Sequence, residues 1–324
     1  MSGVKALFQA VLATAMVFVP SWCCAQVSDG ETSSSLQRFV DGVINESVNA
    51  NTLFASQEAF STGRYSQRRS LDPDKHYTAI RIPARLTRGA KSDPVRPVFM
   101  GNVALLRTTA GVSPADGVGE DDFTVTSLFA LTSGAGLMFR LSESLKVVPS
   151  FSLSYSHIKN NYDYNNPYSQ GNLAPNDREL FNWGLDLFTY TPAVKVYYEL
   201  DIGFATVDYY VGYTYLFNDS ISSDSSVINI NSSTGLLTNR VDVPIPTGLS
   251  VEGAPLFIRP MFQWNNISGK AVAGLGLRDL YEVGADLVAK ISDTEAVLSS
   301  ITVGASYVTG RDFEGYHIGL AVGF

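Results

Sequence analysis

The last nine residues, Tyr316-His317-Ile318-Gly319-Leu320-Ala321-Val322-Gly323-Phe324, alternate apolar side chains with small or polar ones. Successive residues of a strand point to opposite faces. Tyr316, Ile318, Leu320, Val322 and Phe324 therefore share one apolar face, and His317, Gly319, Ala321 and Gly323 share the other. A strand with one face fit for lipid can cross a bilayer only inside a closed barrel, because hydrocarbon offers no partner to unpaired N–H and C=O groups. About ten tilted residues suffice for the crossing. An edge strand of a soluble sandwich would alternate in the same way, so the rest of the chain decides.

At the other end, Lys5 precedes an apolar run from Ala6 to Val19, then Pro20 and Cys23-Cys24-Ala25 before Gln26. This reads as a secretory signal peptide over residues 1–25, too short in its apolar part for a spanning helix. Both cysteines of the chain lie within it, so the mature chain is expected to have neither a disulfide framework nor thiol chemistry. Mean hydropathy is +0.06, and no later apolar stretch approaches the roughly 18 residues of a membrane helix. The formal net charge of −8, one unit more negative without Lys5, disfavours nucleic acid as a partner.

Alternation recurs upstream. Ile301, Val303, Ala305 and Tyr307 oppose Thr302, Gly304, Ser306 and Val308, while Tyr281, Val283, Ala285 and Leu287 oppose Glu282, Gly284, Asp286 and Val288. Charge is confined to one phase. The same rule separates Leu256, Ile258, Pro260, Phe262 and Trp264 from Arg259, Met261 and Gln263, and Tyr209, Val211, Tyr213 and Tyr215 from Asp208, Tyr210, Gly212 and Thr214. Val147 to Tyr155 alternate with serines and join Gly136–Leu141 through the turn Ser142-Glu143-Ser144, a hairpin. Tyrosines and tryptophans at segment ends match two interfacial girdles. Phe181 to Leu200 exceeds one crossing and contains Pro192; it reads as one projecting strand, or as two with a turn at Pro192.

Connections alternate in length: short near 142–144, 202–206, 250–254 and 292–295, long near 109–122, 158–180 and 218–235. The long ones, rich in Asn, Ser, Asp and Gly, are expected to face outward, solvated and mobile. Tyr77–Leu86, Val98–Arg107 and Phe123–Leu141 bring the count to eleven segments when Gly136–Leu141 is counted apart from the rest of its segment. Bacterial single-chain barrels carry an even number, which places a twelfth between Phe54 and Ser70. The expected fold is all-β: a transmembrane antiparallel up-and-down barrel of about 12 strands over residues 54–324.

Residues 26–53 form a separate segment. Ser34 and Gln37 have capping-box spacing, and Leu36, Phe39, Val40, Val43, Ile44 and Val48 recur at helical intervals, predicting an amphipathic helix from about 35 to 50. It would sit in the lumen, with Asp41 and Glu46 facing inward bases, or form a peripheral arm. By phase, the lumen-lining candidates are Arg81, Arg85, Arg140, Lys195, Glu199, Asp201, Arg259, Glu282, Asp286 and Lys290.

Signal peptide, short helix, about twelve strands and terminal Phe together resemble an autotransporter translocator domain without its passenger, in particular the solitary outer-membrane autotransporter-like β-barrel proteins. The residues that carry the resemblance are Leu277-Arg278-Asp279-Leu280-Tyr281-Glu282-Val283-Gly284-Ala285-Asp286-Leu287, then Tyr307-Val308-Thr309-Gly310 and Phe313-Glu314-Gly315-Tyr316. The resemblance implies a fold and a place in the Gram-negative cell outer membrane, in contact with its lipid. It brings no catalytic, cofactor or metal residues. The strand from Tyr316 to Phe324 also resembles the C-terminal signature read by the barrel-assembly machinery. Gln26 to Ser70 is too short for a secreted passenger.

Enzyme chemistry finds little support. His157 neighbours Ser154 and Ser156, with Asp163 nearby, but residues one or three apart on a strand face opposite sides. His317 is expected to satisfy a lumen hydrogen bond. Glu120, Asp121 and Asp122 make a weak calcium motif, and Ala273-Gly274-Leu275-Gly276 suits close strand packing better than a phosphate cradle. The expectation is a non-enzymatic barrel with a structural or limited-pore role and surface loops, Tyr162–Tyr168 and Asn218–Ser233, whose extracellular ligand is unknown. A porin-like channel for small hydrophilic solutes and, further off, a lipid-modifying enzyme are the alternatives.

Overall fold

The computed structural model describes residues 44–56, 62–68, 74–90, 92–112, 121–172, 177–203, 205–291 and 300–323. The signal-peptide region, Asp41, Glu120 and Phe324 lie outside them, as does the start of the predicted helix.

The strands are β1 (Gly63–Gln67), β2 (Lys75–Thr87), β3 (Val95–Val112), β4 (Asp122–Arg140), β5 (Leu145–Asp163), β6 (Gly184–Asp201), β7 (Thr206–Ser223), β8 (Asn231–Asp242), β9 (Ile245–Val251), β10 (Ala254–Gly269), β11 (Asp279–Lys290), β12 (Ser300–Gly310) and β13 (Phe313–Gly323). All pairings are antiparallel, and β13 closes on β1 with Tyr316 opposite Arg64. β8 and β9 both pair with β10 and are separated at residues 243–244, where Pro244 has no N–H to offer the ladder. They are two halves of one barrel strand. The barrel therefore has 12 strands and closes on itself.

The expected twelfth strand exists as β1, but Phe54 does not begin it. Phe54 belongs to a helix, α1, that runs Asn45–Ser56 and so ends later than the predicted residue 50. Two short helices, α2 (Pro167–Asn172) and α3 (Lys270–Leu275), lie in connections. β6 is continuous through Pro192, which faces Phe151 of β5. Only the ladder to β7 breaks there, between Tyr190–Phe217 and Ala193–Thr214. Pro192 costs a hydrogen bond without making a turn.

The connections at 141–144, 202–205 and 252–253 share one end of the barrel, while 164–183 and 270–278 lie at the other. β4 and β5, 19 residues each, span roughly 60 Å at about 3.3 Å per residue, well beyond a membrane crossing. They project past the apolar band at the long-loop end. On the outward phase, Phe129, Leu131, Phe151, Leu153, Ile258, Phe262, Val283, Leu287, Ile318 and Leu320 are exposed, a continuous apolar belt that water would not tolerate.

The inward phase is not uniformly polar. Toward the long-loop end Leu106, Leu128, Ile158, Leu185, Leu187, Leu216, Leu236, Ile267 and Leu280 point inward and are buried. They require something apolar to pack against, and α1 supplies it. The loops are not simply solvated either. Trp183, Ile228 and Ile230 join the same core, and buried Asp122 accepts hydrogen bonds from Tyr162 Oη (2.9 Å), Asn165 N (2.6 Å) and Asn166 N (3.2 Å). A carboxylate engaged by that many donors organises a loop and leaves little of itself to a cation.

Candidate functional site

α1 crosses the lumen and is bonded to both of its walls. Val48, Asn49, Ala50, Leu53, Phe54 and Ala55 are almost wholly buried. Asn218 Nδ2 and Ser232 Oγ, on β7 and β8, both donate to Asn49 Oδ1 at 2.7 Å. Across the barrel, Thr108 Oγ1 donates to Asn51 Oδ1 (2.9 Å), and Asn102 Nδ2 donates to the carbonyl of Ala55 (3.0 Å), one of the helix's orphan C-terminal acceptors. Buried Asn49 and Thr52 also bond back to the carbonyls four residues earlier. The asparagines that weaken helix propensity are the groups that fix the helix in place.

α3 packs against α1. The Gly274 Cα lies so near the Glu46 backbone that a Cβ would collide with it, so the tight approach is between two helices and not between strands. Gly276, at φ 65°, caps α3 in the left-handed region. Gln67 Nε2 donates to the Leu275 carbonyl, and Tyr77 Oη donates to Gln67 Oε1 (3.0 Å). Phe54 stacks among Tyr65, Tyr77 and Phe313, beside the β13–β1 seam. The Tyr65 ring lies over Gly315 on β13, which has no side chain to obstruct it. Plug and seam are one packed unit.

Toward the short-turn end, a cavity of about 480 Å³ remains. Its wall carries Arg81, Arg85, Lys146, Lys195, Arg240 and Arg259 together with Glu199, Asp208 and Asp242. Arg259 Nη2 meets Asp286 Oδ2 at 2.6 Å, and Arg240 meets Asp242 at 2.8 Å and Asp286 at 3.6 Å. Lys146 Nζ lies 2.5 Å from Glu199. Arg85 donates to Tyr197 Oη (2.9 Å) with its guanidinium 5.5 Å over that ring, and Arg81 donates to Asn102 Oδ1 (3.3 Å). The chain Arg81–Asn102–Ala55 links the cavity wall to the end of the plug.

Of the ten lumen candidates, the structure puts Arg81, Arg85, Lys195, Glu199 and Arg259 on the cavity wall, with Asp286 paired to it. Arg140 lies at the end of β4 opposite Lys146, and Lys290 is exposed at the last position of β11. Asp201 is exposed at the last position of β6, where its Oδ1 accepts the Gly203 N–H (2.8 Å) and caps a turn. Glu46 sits beside Gly274 in the first turn of α1, whereas Arg85 and Arg259 line the cavity. Arg240, Asp242 and Lys146 escape the sequence reading, which does not delineate the strand holding Arg240 and Asp242, and Asp208, placed on the inward phase, stands outside the ten candidates. The alternation of these two with Val241 is the signal that could have found them.

Glu282, buried, accepts from Ser306 Oγ (2.6 Å), and His317 Nε2 is 3.3 Å from the same Oε1. Ser306 Oγ lies 2.9 Å from His317 Nδ1. Three catalytic residue types meet here, yet all are buried in the wall, and the carboxylate holds the serine and histidine around one oxygen. A nucleophile needs its histidine free to take a proton, with the carboxylate behind it. On the outer face, His157 Nδ1 (2.8 Å), Tyr155 Oη (2.6 Å) and Ser222 Oγ (2.7 Å) all converge on Asp186. There too the acid sits in the middle. Ser154 and Ser156 point inward, away from His157.

The family model for the solitary outer membrane autotransporter beta-barrel domain matches residues 45–321, from the first residue of α1 to β13. The chain belongs to this family. Solitary autotransporter barrels are outer-membrane proteins, so the long-loop end of the barrel is extracellular and the cavity opens toward the periplasm. Solved structures share the fold. The β domain of the Bordetella autotransporter BrkA is 10% identical, with a TM-score of 0.50 over 81% of this chain and 98% of that one. The transport unit of AIDA-I from Escherichia coli is 10% identical, TM-score 0.53, over 88% and 99%. The translocator domain of NalP from Neisseria meningitidis is 9% identical, TM-score 0.52, over 81% and 86%. Curated protein sequences give no match. This autotransporter barrel is thus translocator-like in fold, with a helix in its lumen.

Proposed function

We propose that this solitary autotransporter barrel is a non-enzymatic, self-plugged outer-membrane protein: α1 and α3 shut the extracellular half, and the charged cavity is a periplasmic vestibule. The observation that carries the reading is the bonding of α1 to opposite walls, through Asn49 to Asn218 and Ser232, and through Asn51 to Thr108. Such a barrel passes little solute at rest. Insertion by the barrel-assembly machinery through the strand that contains Tyr316, Ile318, Leu320 and Val322 fits the exposed apolar side chains of Tyr316, Ile318 and Leu320. The surface-loop contacts reduce to the loops proper, since Asn218 is buried against α1.

Single-channel conductance in planar bilayers tests this. The refolded barrel should conduct little, and removal of residues 45–56 should open it. A cysteine pair replacing Asn49 and Asn218 should cross-link and keep the barrel closed. Equal, steady conductance in all three chains would make it a porin-like channel and overturn the plug. Hydrolysis of an acyl or phosphoryl ester by the purified barrel, abolished by a single substitution, would overturn the non-enzymatic reading.

A further inference from the structure

The outward surface carries a pattern that the lumen does not explain. In register, Arg64 faces Thr78, Thr78 faces Arg107, Arg107 faces Ser127, and Ser127 faces Lys159. All five are exposed and stand on the outward phase of β1 to β5. They form one unbroken row in which bases alternate with hydroxyls. Neighbouring strands are about 4.8 Å apart, so successive bases are roughly 10 Å apart.

The row's height is fixed by what lies beneath it. Toward the periplasm the next outward residues beneath Thr78, Arg107 and Ser127 are Ile80, Leu105 and Phe129, all exposed members of the apolar belt, while Thr62 and His157 stand beneath Arg64 and Lys159. At Thr78, Arg107 and Ser127 the row is therefore the first polar tier above hydrocarbon, at headgroup level on the extracellular side. Several acids at the outer ends of strands are held from within: Asp186 by Tyr155, His157 and Ser222, Asp279 by Trp264 Nε1 (2.9 Å) and Asn266 Nδ2 (2.9 Å), Glu314 by Tyr307 Oη (3.3 Å); exposed Asp163, beyond Lys159 on β5, and Asp219 on β7 have no such bond among the described residues. Among the described residues, Arg64, Arg107 and Lys159 have no side-chain hydrogen bond or ion pair. In a chain of net charge −8, three unpartnered bases on one side of the barrel are a local arrangement.

We propose that the row Arg64, Thr78, Arg107, Ser127, Lys159 binds the phosphate groups of a phosphorylated lipid headgroup in the outer leaflet. Guanidinium groups grip phosphate oxygens in pairs, and the intervening hydroxyls donate to the same oxygens. The occupant is a lipid and not a free anion because the apolar tier directly below Thr78, Arg107 and Ser127 receives acyl chains, which inorganic phosphate lacks. The site is lateral, remote from the vestibule and independent of whether α1 closes the lumen.

Native mass spectrometry of the refolded mature chain in detergent tests this, with bisphosphorylated lipid A, its dephosphorylated form and inorganic phosphate as probes. The unmodified chain and an Arg311→Gln control should retain phosphorylated lipid A. The triple variant Arg64→Gln, Arg107→Gln, Lys159→Gln should retain it about tenfold less or worse, as expected for the loss of three charges at an anionic surface. Arg107→Glu alone, at the centre of the row, should show the same direction and guards against a triple variant that fails to refold. Retention by Arg107→Glu equal to that of the unmodified chain, equal retention of both lipid forms, or displacement by equimolar inorganic phosphate would each overturn the proposal.

Discussion

The ring of Phe54 stacks on that of Tyr77, centroids 5.2 Å apart and planes 19° from parallel, so the plug helix is fastened where the barrel's first long strand begins. Tyr65 and Phe313 complete the aromatic box at 5.3 and 5.8 Å. Removing a fully buried ring from such a site costs about 3–5 kcal/mol. Phe54→Ala should therefore lower the urea midpoint of the refolded barrel, while Phe54→Leu should recover much of the loss. An unchanged midpoint for the alanine variant would mean that the box contributes nothing to closure.

The fit of α1 against α3 depends on Gly274 having no Cβ. Gly274→Leu should push the two helices apart and loosen the plug without touching a strand ladder. The expected result is higher single-channel conductance with unchanged strand content by circular dichroism. Gly274→Ala should produce a smaller effect in the same direction.

What the sequence disclosed follows from the solvent each face meets. Lipid imposes an uninterrupted period of two on the outward phase, so Tyr316, Ile318 and Leu320, or Phe151 and Leu153, are legible one residue at a time; the strand number rests also on the even count of bacterial barrels, because the strand holding Arg240 and Asp242 is not delineated. The inward phase obeys no single solvent. Near the extracellular end it packs a helix and is apolar, so that Leu105-Leu106 and Leu128-Phe129 are apolar on both phases; in the vestibule it is charged. Phe54 reads as the start of the barrel because an aromatic outside any obvious alternation carries no mark of helix. Ile228 and Ile230 sit in a polar loop whose burial only tertiary contact reveals.

Two extracellular connections are clasped by Glu179, whose carboxylate accepts from Ser226 Oγ (2.9 Å) and Ser226 N (3.0 Å). These hydrogen bonds, the Ser226 hydroxyl first, hold its pKa below the ordinary glutamate value. A folded-state pKa below the unfolded one gives a contribution that is present above the unfolded value and is lost as pH falls through the folded value. Acidification below the ordinary glutamate range should release the clasp and raise protease cleavage within residues 224–230. Glu179→Gln should be cleaved at neutral pH as readily as the unmodified chain is in acid.

The vestibule's ion pairs differ in shielding, and the difference ranks them. Arg259 grips Asp286 through Nη2 (2.6 Å) and Nε (3.1 Å), with the Asp286 side chain only 17% exposed. Lys146 and Glu199, 29% and 44% exposed, face solvent at the periplasmic mouth. Water screens the second pair, whose net worth should be under about 1 kcal/mol. Asp286→Asn leaves Arg259 without its anion in a less hydrated wall and should cost about 1.5–3 kcal/mol, the range for hydrogen bonds to charged groups. A double-mutant cycle with Arg259→Gln should return most of that as coupling, since the second substitution removes the stranded charge. Arg240 complicates the count in a testable way: it keeps Asp242 at 2.8 Å when Asp286 is lost, so Arg240→Gln should couple to Asp286 more weakly than Arg259→Gln does. Equal coupling would mean that the three charges act as one network and not as two pairs that share an acid.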